Sequence, residues 1–334
     1  MIKSYFLALL FIACTGCATR DQIAMVPPVE GAVQHTVLFA TNRAPSNRMF
    51  NETRSLTTSY GEAIVAVPPE HEVGVVEYPA TSSNPHSEFG VVHAGTTTDL
   101  GDFKKILTRE VDKRASGNRS AIVYVHGFNS TFAEALYLNT QLMHDYERSE
   151  VPIMFSWPSS GQSLAYLHDH ESILSARNPL EKLLETLEGS DLDSFTVVAH
   201  SMGSQLVMET LRQHAIRTGG RHWSKLNGVV LVSPDIDVQV FAQLSTDMGE
   251  LPDPFIVIAS KNDKLLSLSG VINGSKARVG GVISKDALPA SSKATLVGAS
   301  FATDVWSSNH MTAFRSPEMI RYLNAFETTM PEAR

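Results

Sequence analysis

The stretch Phe195-Thr-Val-Val-Ala-His-Ser-Met-Gly-Ser-Gln-Leu-Val-Met208 decides the fold. Residues 195–199 are a short β-branched run, which predicts a buried strand. After Ser201 the apolar residues recur at helical spacing, so a helix should follow at once. The serine would then occupy a tight turn at the positive end of the helix dipole. Such a turn needs small residues two positions to either side, and Gly203 meets that need while Ala199 nearly does.

This pattern resembles the nucleophile elbow of the α/β-hydrolases, with Ala199 where the usual motif has glycine. In those proteins the elbow presents a reactive serine at the carboxyl edge of the sheet. The resemblance implies that Ser201 is a nucleophile, and it predicts the other parts of such a site further along the chain.

Composition excludes several classes of protein. The chain has 334 residues and a net charge of −8, with both signs interspersed, which argues against a nucleic-acid partner. The two cysteines are Cys14 and Cys17. The rest of the chain therefore has no internal disulfide, catalytic thiol or cysteine-based metal site. We predict neither a metal nor a cofactor.

The N-terminus resembles a targeting segment. Residues 1–16 carry Lys3 before an apolar run that is too short to span a membrane, which predicts a secretory signal peptide. The run ends in a cysteine motif similar to a bacterial lipobox, which implies lipidation of Cys17 and a membrane anchor. The alternative is an ordinary signal peptide cut near Ala18. Residues 17–34 would be a tether. We expect a lipid-anchored envelope protein, in the outer membrane and facing the periplasm.

The folded part begins with strands and then alternates. Residues 35–114 contain predicted strands at 36–40, 63–67 and 73–77. From about residue 115, strands and helices alternate, as in a parallel sheet with helices on both faces. The later predicted strands are 121–125, 152–156, 195–199, 228–232, 255–259 and 294–297. The predicted helices are 131–146, 180–187, 202–216, 238–248 and 317–326. The expected architecture is an α/β-hydrolase fold in which residues 115–330 form the catalytic core and antiparallel N-terminal strands join its mostly parallel sheet.

A second motif follows the strand 121–125, which leads into His126-Gly-Phe-Asn129. In the α/β-hydrolases a His-Gly pair at this point supplies half of the oxyanion hole, and the amide after the nucleophile supplies the other half. The resemblance implies that the backbone N–H groups of Phe128 and Met202 are the donors.

Two further residues are expected to line the substrate pocket. Asn129 continues the oxyanion motif, and Trp157 follows the strand 152–156 on a loop facing the expected site. Covering the core is an equal alternative for Trp157. The nearby His168-Asp-His170 resembles a metal patch, but its spacing on a polar segment favours solvated surface.

The order of residues identifies the histidine. In these hydrolases an acid and then a histidine follow the nucleophile. Of 12 histidines, three follow Ser201. His214 falls inside a predicted helix and is expected on its surface, and His222 precedes any acid at a strand end. His310 lies in a loop after the last predicted strand, so we predict it as the general base.

Two strand ends compete for the acid. Asp263 follows the penultimate predicted strand, where the acid of these hydrolases generally lies. Asp235 and Asp237 follow the preceding strand and can instead cap the next helix. Asp304, close in sequence to the predicted base, is a third candidate. Asp263 is preferred.

Together these motifs resemble a bacterial branch of the α/β-hydrolase (esterase/lipase) superfamily without a settled substrate. The matching words are Ile122-Val-Tyr-Val-His-Gly-Phe-Asn129, Phe155-Ser-Trp-Pro-Ser159, Ala199-His-Ser-Met-Gly203, Ala259-Ser-Lys-Asn-Asp263, Thr41-Asn-Arg43 and Tyr60-Gly61. The resemblance implies cleavage of a small-molecule or lipid carboxylic ester by Ser201, His310 and Asp263 through an acyl-enzyme. Two alternatives remain: a hydrolase-fold protein that binds envelope lipid or peptidoglycan fragments without turnover, and thioester, amide or acyl-transfer chemistry with the same triad.

Overall fold

The computed structural model describes residues 20–274, 277–282, 284, 293–303 and 308–329. Within these ranges nine strands form one sheet in the order β3-β2-β1-β5-β4-β6-β7-β8-β9. The strands are β1 Val33–Ser46, β2 Met49–Val67, β3 Gly90–Thr97, β4 Ser120–Val125, β5 Val151–Ser156, β6 Ser194–His200, β7 Leu226–Val232, β8 Phe255–Ala259 and β9 Thr295–Gly298. The helices are α1 Leu100–Val111, α2 Phe132–Asp145, α3 Tyr166–Glu188, α4 Met202–Thr218, α5 Val238–Met248, α6 Lys264–Ile272, α7 Thr312–Arg315 and α8 Pro317–Thr329.

The sheet is antiparallel at one end and parallel from there on. β1 pairs antiparallel with β2, and β2 with β3, whereas β1 pairs parallel with β5. Every later pairing is parallel. The prediction of a mostly parallel sheet joined by antiparallel N-terminal strands is confirmed. Because β4 to β8 point the same way, their carboxyl ends meet at one edge, where open α/β sheets place their sites.

Both faces of the central strands are buried, which explains their continuous apolar runs. In β4, Val123 and Val125 pack into one core with apolar residues of α1, α3, α4 and α5. Tyr124, between them, points to the other core, where it joins residues of α2 and α8. The alternation follows from the two-residue period of a strand. Helices therefore cover both faces, as expected.

Some predicted elements differ from the structure. The predicted strand 73–77 is wrong: it is a turn and loop, in which Gly74 has φ +86° and its N–H donates to Asp145 Oδ2 at 2.7 Å. The third N-terminal strand is β3. Periodicity also missed α1 and α6, which are short and begin at the capping residues Asp99 and Asp263. α3 begins well before its predicted start and continues through Pro179, because a buried apolar stripe runs along both sides of the proline. No helix in the described ranges is long and apolar enough to cross a membrane.

Candidate active site

Ser201 occupies a strained turn between β6 and α4. Its backbone has φ 51° and ψ −123°, a combination that non-glycine residues rarely adopt. Two hydrogen bonds hold the turn: the Ser201 N–H donates to Val232 O at 3.0 Å, and the Asp235 N–H donates to Ser201 O at 3.2 Å. A Cβ at Gly203 would lie 2.2 Å from His126 O, so only glycine fits there. The predicted strand–turn–helix is present.

The loop after β4 lies directly against this turn. A Cβ on Gly127 would lie 2.7 Å from His200 Nδ1 and 2.9 Å from Ser201 Cβ, so the bare backbone permits the approach. Phe128 follows in the same loop. Met202 opens α4, whose first amides have no acceptor within the helix. The two predicted oxyanion donors thus belong to segments that meet beside Ser201.

His310 and Asp263 form a buried pair. His310 Nδ1 lies 2.7 Å from Asp263 Oδ2, and the two residues are 6% and 2% exposed. The other carboxylate oxygen, Asp263 Oδ1, accepts the Leu266 N–H at 2.9 Å and so caps α6. The Lys264 N–H donates to Ser308 O at 3.0 Å, which ties the loop that carries the histidine to the start of α6.

A second histidine packs against this pair. The rings of His200 and His310 are 4.7 Å apart between centroids. Burial, together with the nearby His310 ring, holds the pKa of His200 well below its usual value. His200 is therefore neutral at physiological pH, and it adds no positive charge beside the His310 ring.

One cavity of about 330 Å³ brings the predicted residues together. Ser201 and His310 both line it, as do Phe128 and Asn129. The side chain of Asp263 lies behind His310, outside the lining. Further lining residues come from α6, α7, the loop before β3 and the start of α3 (Leu265, Leu268, Ile272, Arg315, Tyr78 and Tyr166).

Trp157 does not line this cavity, which corrects its assignment to the pocket. It is fully buried, its ring stacks on His126 at 4.9 Å, and its Nε1 donates to His126 O at 2.7 Å. Burial and the nearby Arg43 charge lower the pKa of His126 to about 3, so this ring stays neutral. Trp157 therefore covers the core and supports the loop after β4 from behind.

Arg43 organises the same region and was noted in the sequence only as part of a motif. It is 1% exposed and lies in β1. Its guanidinium donates to Ser156 Oγ at 2.9 Å, Ser159 O at 2.9 Å and Ser130 O at 2.7 Å. Burial lowers its pKa to about 9. One side chain thereby joins the loops that follow β4 and β5.

Asp169 is a second buried hub, and its prediction as solvated surface is wrong. It is fully buried in the first turn of α3 and accepts from Ser159 Oγ at 2.5 Å and from the Ser160 N–H at 2.8 Å. The Asn129 N–H also points to it at 3.3 Å. The sequence around Asp169 is polar and has no local signal for this burial, because the groups that donate to the carboxylate come from the loops after β4 and β5.

The other candidate acids are placed differently. Asp237 caps α5, accepting the Gln239 N–H at 2.8 Å. Asp235 makes no cap: its carboxylate accepts from Tyr166 OH at 3.0 Å and Ser269 Oγ at 2.7 Å, and lies 3.2 Å from Arg278 Nε. The expectation that Asp235 caps this helix is therefore wrong. Asp304, like Cys17 and the whole predicted signal peptide, lies outside the described residues.

The remaining histidines after the serine stay away from the cavity. His214 is buried and stacks on Trp223 at 3.7 Å between centroids, which corrects its placement on the surface of α4. His222 contacts Glu250 O, and neither histidine lines the cavity. Across the described ranges, no group of three or more His, Cys, Asp or Glu side chains could hold a metal ion.

The chain is similar to several solved structures and matches one protein family. No curated protein sequence matches the chain. Similar solved structures include a predicted CIB-like hydrolase from Thermoplasma acidophilum, with 16% identity and a TM-score of 0.38 over 65% of this chain and 90% of that one. An esterase from Pyrobaculum calidifontis has 11% identity and a TM-score of 0.36 over 90% of this chain and 85% of that one. Esterase B from Lactobacillus rhamnosis has 13% identity and a TM-score of 0.38 over 93% of this chain and 88% of that one. The model of the alpha/beta hydrolases of unknown function (DUF900) matches residues 101–323, two thirds of the chain, and the protein belongs to that family.

Proposed function

We propose that the protein is a serine hydrolase that cleaves carboxylic esters, with Ser201 as the nucleophile, His310 as the general base and Asp263 as the acid. The observation that carries the proposal is the buried contact of 2.7 Å between His310 Nδ1 and Asp263 Oδ2, beside a cavity that the strained serine shares. A strained backbone at a polar residue in a cavity is typical of functional sites.

The reaction follows from the roles of these groups. Ser201 Oγ attacks the ester carbonyl carbon while His310 Nε2 accepts the hydroxyl proton. The carbonyl oxygen becomes an oxyanion, which the N–H groups of Phe128 and Met202 stabilise. The tetrahedral intermediate collapses, the alcohol leaves with the proton from His310, and an acyl-serine remains. Water then attacks the acyl group by the same route and releases the carboxylic acid. Throughout, Asp263 accepts a hydrogen bond from the Nδ1–H of His310 and balances the imidazolium charge.

Asp263 suits the role of the acid better than Asp235 does. The carboxylate of Asp235 already faces two hydroxyl donors and the guanidinium of Arg278. Asp263 instead divides its two oxygens between the histidine and a helix amide. A triad acid needs one oxygen free for the imidazole, and of these two residues Asp263 has that arrangement.

Labelling with a fluorophosphonate probe and turnover of a panel of p-nitrophenyl esters test the proposal. We expect Ser201→Ala to abolish labelling and to lower kcat by about 10⁴-fold or more. The matched control is Ser204→Ala, three residues further along in α4. The Ser204 hydroxyl donates to Ala199 O at 3.1 Å and does not line the cavity, so its loss should leave turnover intact. Near-normal turnover in folded Ser201→Ala would contradict the mechanism.

The same assay separates the alternatives. A wild-type chain that neither reacts with the probe nor turns over esters, yet binds lipid or peptidoglycan fragments, would be a hydrolase-fold binding protein. Matched thioester and amide substrates measure whether the triad prefers another acyl bond. We further propose that the protein is lipid-anchored at Cys17 in the cell envelope, a proposal that rests on the sequence motif alone.

A further inference from the structure

The cavity wall includes a buried hydroxyl without a partner. Tyr124 lies near the carboxyl end of β4, is 1% exposed and lines the cavity. Within the part of the chain that the structure describes, its hydroxyl has no hydrogen-bond partner. Burial raises its pKa above the ordinary value, so the group stays protonated and can donate. Leaving a buried hydroxyl unpaired costs free energy, which makes an incoming acceptor favourable.

A guanidinium lines the same cavity. Arg315, the last residue of α7, is also in the lining. Its side chain hydrogen-bonds the hydroxyl of Tyr78, whose pKa burial raises to about 12. None of the described carboxylates forms an ion pair with Arg315. By contrast, the other arginine of this cavity, Arg20, is paired with Glu134 at 2.6 Å. Arg315 is thus a positive charge that faces neutral donors.

The backbone that carries Arg315 is firmly held. Gln141 Nε2 donates to Phe314 O at 3.1 Å, and the Tyr146 hydroxyl donates to Ala313 O. A Cβ on Gly74 would lie 2.6 Å from Arg315 O, so this loop also packs closely against the end of α7. α7 follows His310 after one residue, which keeps the backbone of Arg315 close to the proposed base, and the hydrogen bond to Tyr78 holds its side chain. A preorganised donor loses little entropy when a ligand binds.

We propose that Arg315, Tyr124 and Tyr78 form an anion-binding subsite, which selects esters that carry a carboxylate or phosphate group. A guanidinium and phenol hydroxyls supply donors, and the acceptors that match a guanidinium best are carboxylate and phosphate oxygens. The cavity also has an apolar wall, made by Leu265, Leu268 and Ile272 of α6. The substrate class is therefore an ester with an apolar part and an anionic group. This inference rests on the proposed ester hydrolysis at Ser201.

Paired substrates test the subsite. In the first pair the anion is in the acyl half: mono-p-nitrophenyl adipate is compared with its neutral methyl ester. In the second pair it is in the alcohol half: the hexanoyl ester of 4-hydroxybenzoate is compared with that of methyl 4-hydroxybenzoate. A third pair replaces the acyl carboxylate with a phosphate monoester and its dimethyl ester, which tells carboxylate from phosphate recognition. The readout is the ratio of kcat/KM, anionic over neutral, because intrinsic reactivity cancels when the ratio is compared between variants.

We expect Arg315→Met to lower this ratio about 10- to 100-fold in at least one pair, as loss of a charge-assisted contact does. Tyr124→Phe should lower it several-fold and removes only the hydroxyl. The matched control is Arg321→Met, an exposed arginine on α8, which should leave the ratio unchanged. A ratio that neither Arg315→Met nor Tyr124→Phe changes in any pair overturns the subsite. If Arg315→Met does not fold by circular dichroism, Tyr124→Phe decides alone.

Failure of the proposed function gives a different result. If the wild-type protein hydrolyses no ester of any pair, the ester hydrolase is refuted, and the subsite is then tested by calorimetric titration with monomethyl adipate and with phenyl phosphate. Binding of either probe to the wild-type chain that weakens at least tenfold in Tyr124→Phe or Arg315→Met supports the subsite. Equal binding to all variants, or none to the wild-type chain, overturns it.

Discussion

Replacing Asp263 with asparagine tests how the two oxygens of its carboxylate are used. Oδ1 caps α6 through the Leu266 N–H at 2.9 Å, and Oδ2 lies 2.7 Å from His310 Nδ1. Asparagine has only one oxygen. If that oxygen keeps the cap, the NH₂ group faces His310 Nδ1, which must then act as an acceptor. The imidazole proton moves to Nε2, and Nε2 can no longer take a proton from Ser201. We expect kcat to fall by about 10⁴-fold.

Stability should barely change in this variant, because the helix cap survives. Loss of a cap altogether costs about 1 kcal/mol, so the free energy of unfolding should fall by no more than that. The comparison variant is Asp235→Asn. There the lost charge leaves the buried guanidinium of Arg278, 3.2 Å away, without its counterion. Breaking a buried ion pair costs about 3–5 kcal/mol. Each kcal/mol lowers Tm by about 1–2 °C in a chain of 334 residues, because the entropy of unfolding grows with chain length.

The assay is kcat on a p-nitrophenyl ester at a temperature where both variants are folded, together with Tm from circular dichroism. We expect Asp263→Asn to be stable and nearly inactive, and Asp235→Asn to be destabilised and largely active. Asp237→Asn, which affects only the α5 cap, is the control for both measurements. If Asp235→Asn is folded and inactive while Asp263→Asn retains its turnover, the acid is Asp235 and the reasoning from the carboxylate contacts is refuted.

Three further predictions concern other parts of the chain. Burial by itself would lower the pKa of His71, but its hydrogen bonds to Asp145 and Glu77 outweigh burial and raise the pKa to about 9. The charged ring therefore stabilises the fold fully below its unfolded pKa of about 6.5, and this stabilisation is lost as the pH rises through 9. Urea unfolding from pH 6 to 10 should show a loss of unfolding free energy that His71→Gln lacks. Parallel pH dependences of the two proteins would disprove this prediction. Arg43→Met should lower the free energy of unfolding by about 2–4 kcal/mol and reduce kcat/KM of the folded protein, since two loop carbonyls lose a charged donor. Thermal melting and steady-state kinetics measure the two effects. A stable, fully active variant would contradict this prediction. Cys17→Ser should release the protein from membrane pellets into the soluble fraction, because several acyl chains hold a lipoprotein in the bilayer; an unchanged pellet would exclude lipidation as the anchor.

Much of the fold could be predicted because its signals are local. A β-branched run followed at once by helical periodicity located β6 and α4 and put Ser201 between them. Gly203 also indicated the tight turn from the sequence alone. In the structure its backbone lies so close to His126 O that only glycine fits there. The order of serine, acid and histidine along the chain then selected His310 and Asp263, whose side chains the structure brings within hydrogen-bond distance.

The wrong predictions arose where a residue's partner is far away in sequence. The run 73–77 has the composition of a strand, yet Gly74 bends to meet Asp145, 71 residues later. Asp235 was interpreted as a helix cap because its neighbourhood fits one. Its carboxylate instead accepts hydrogen bonds from Tyr166 of α3 and Ser269 of α6 and forms an ion pair with Arg278. Trp157 ends a strand as a pocket residue would, although its ring is directed to His126, 31 residues earlier.

The sequence by itself determined the strand–turn–helix at Ser201, the parallel architecture and the ordered candidates for a triad, since periodicity, turn chemistry and motif order are encoded in short segments. Only the tertiary structure decided which polar side chains are buried together. Arg43 reaches Ser159, 116 residues away, because β1 lies next to β5 in the sheet. The same assembly placed Tyr124, Tyr78 and Arg315 around one cavity, from a central strand, an N-terminal loop and a C-terminal helix. Strand order determines which of these side chains meet. Burial, a property of the whole fold, determines how strong their polar contacts are.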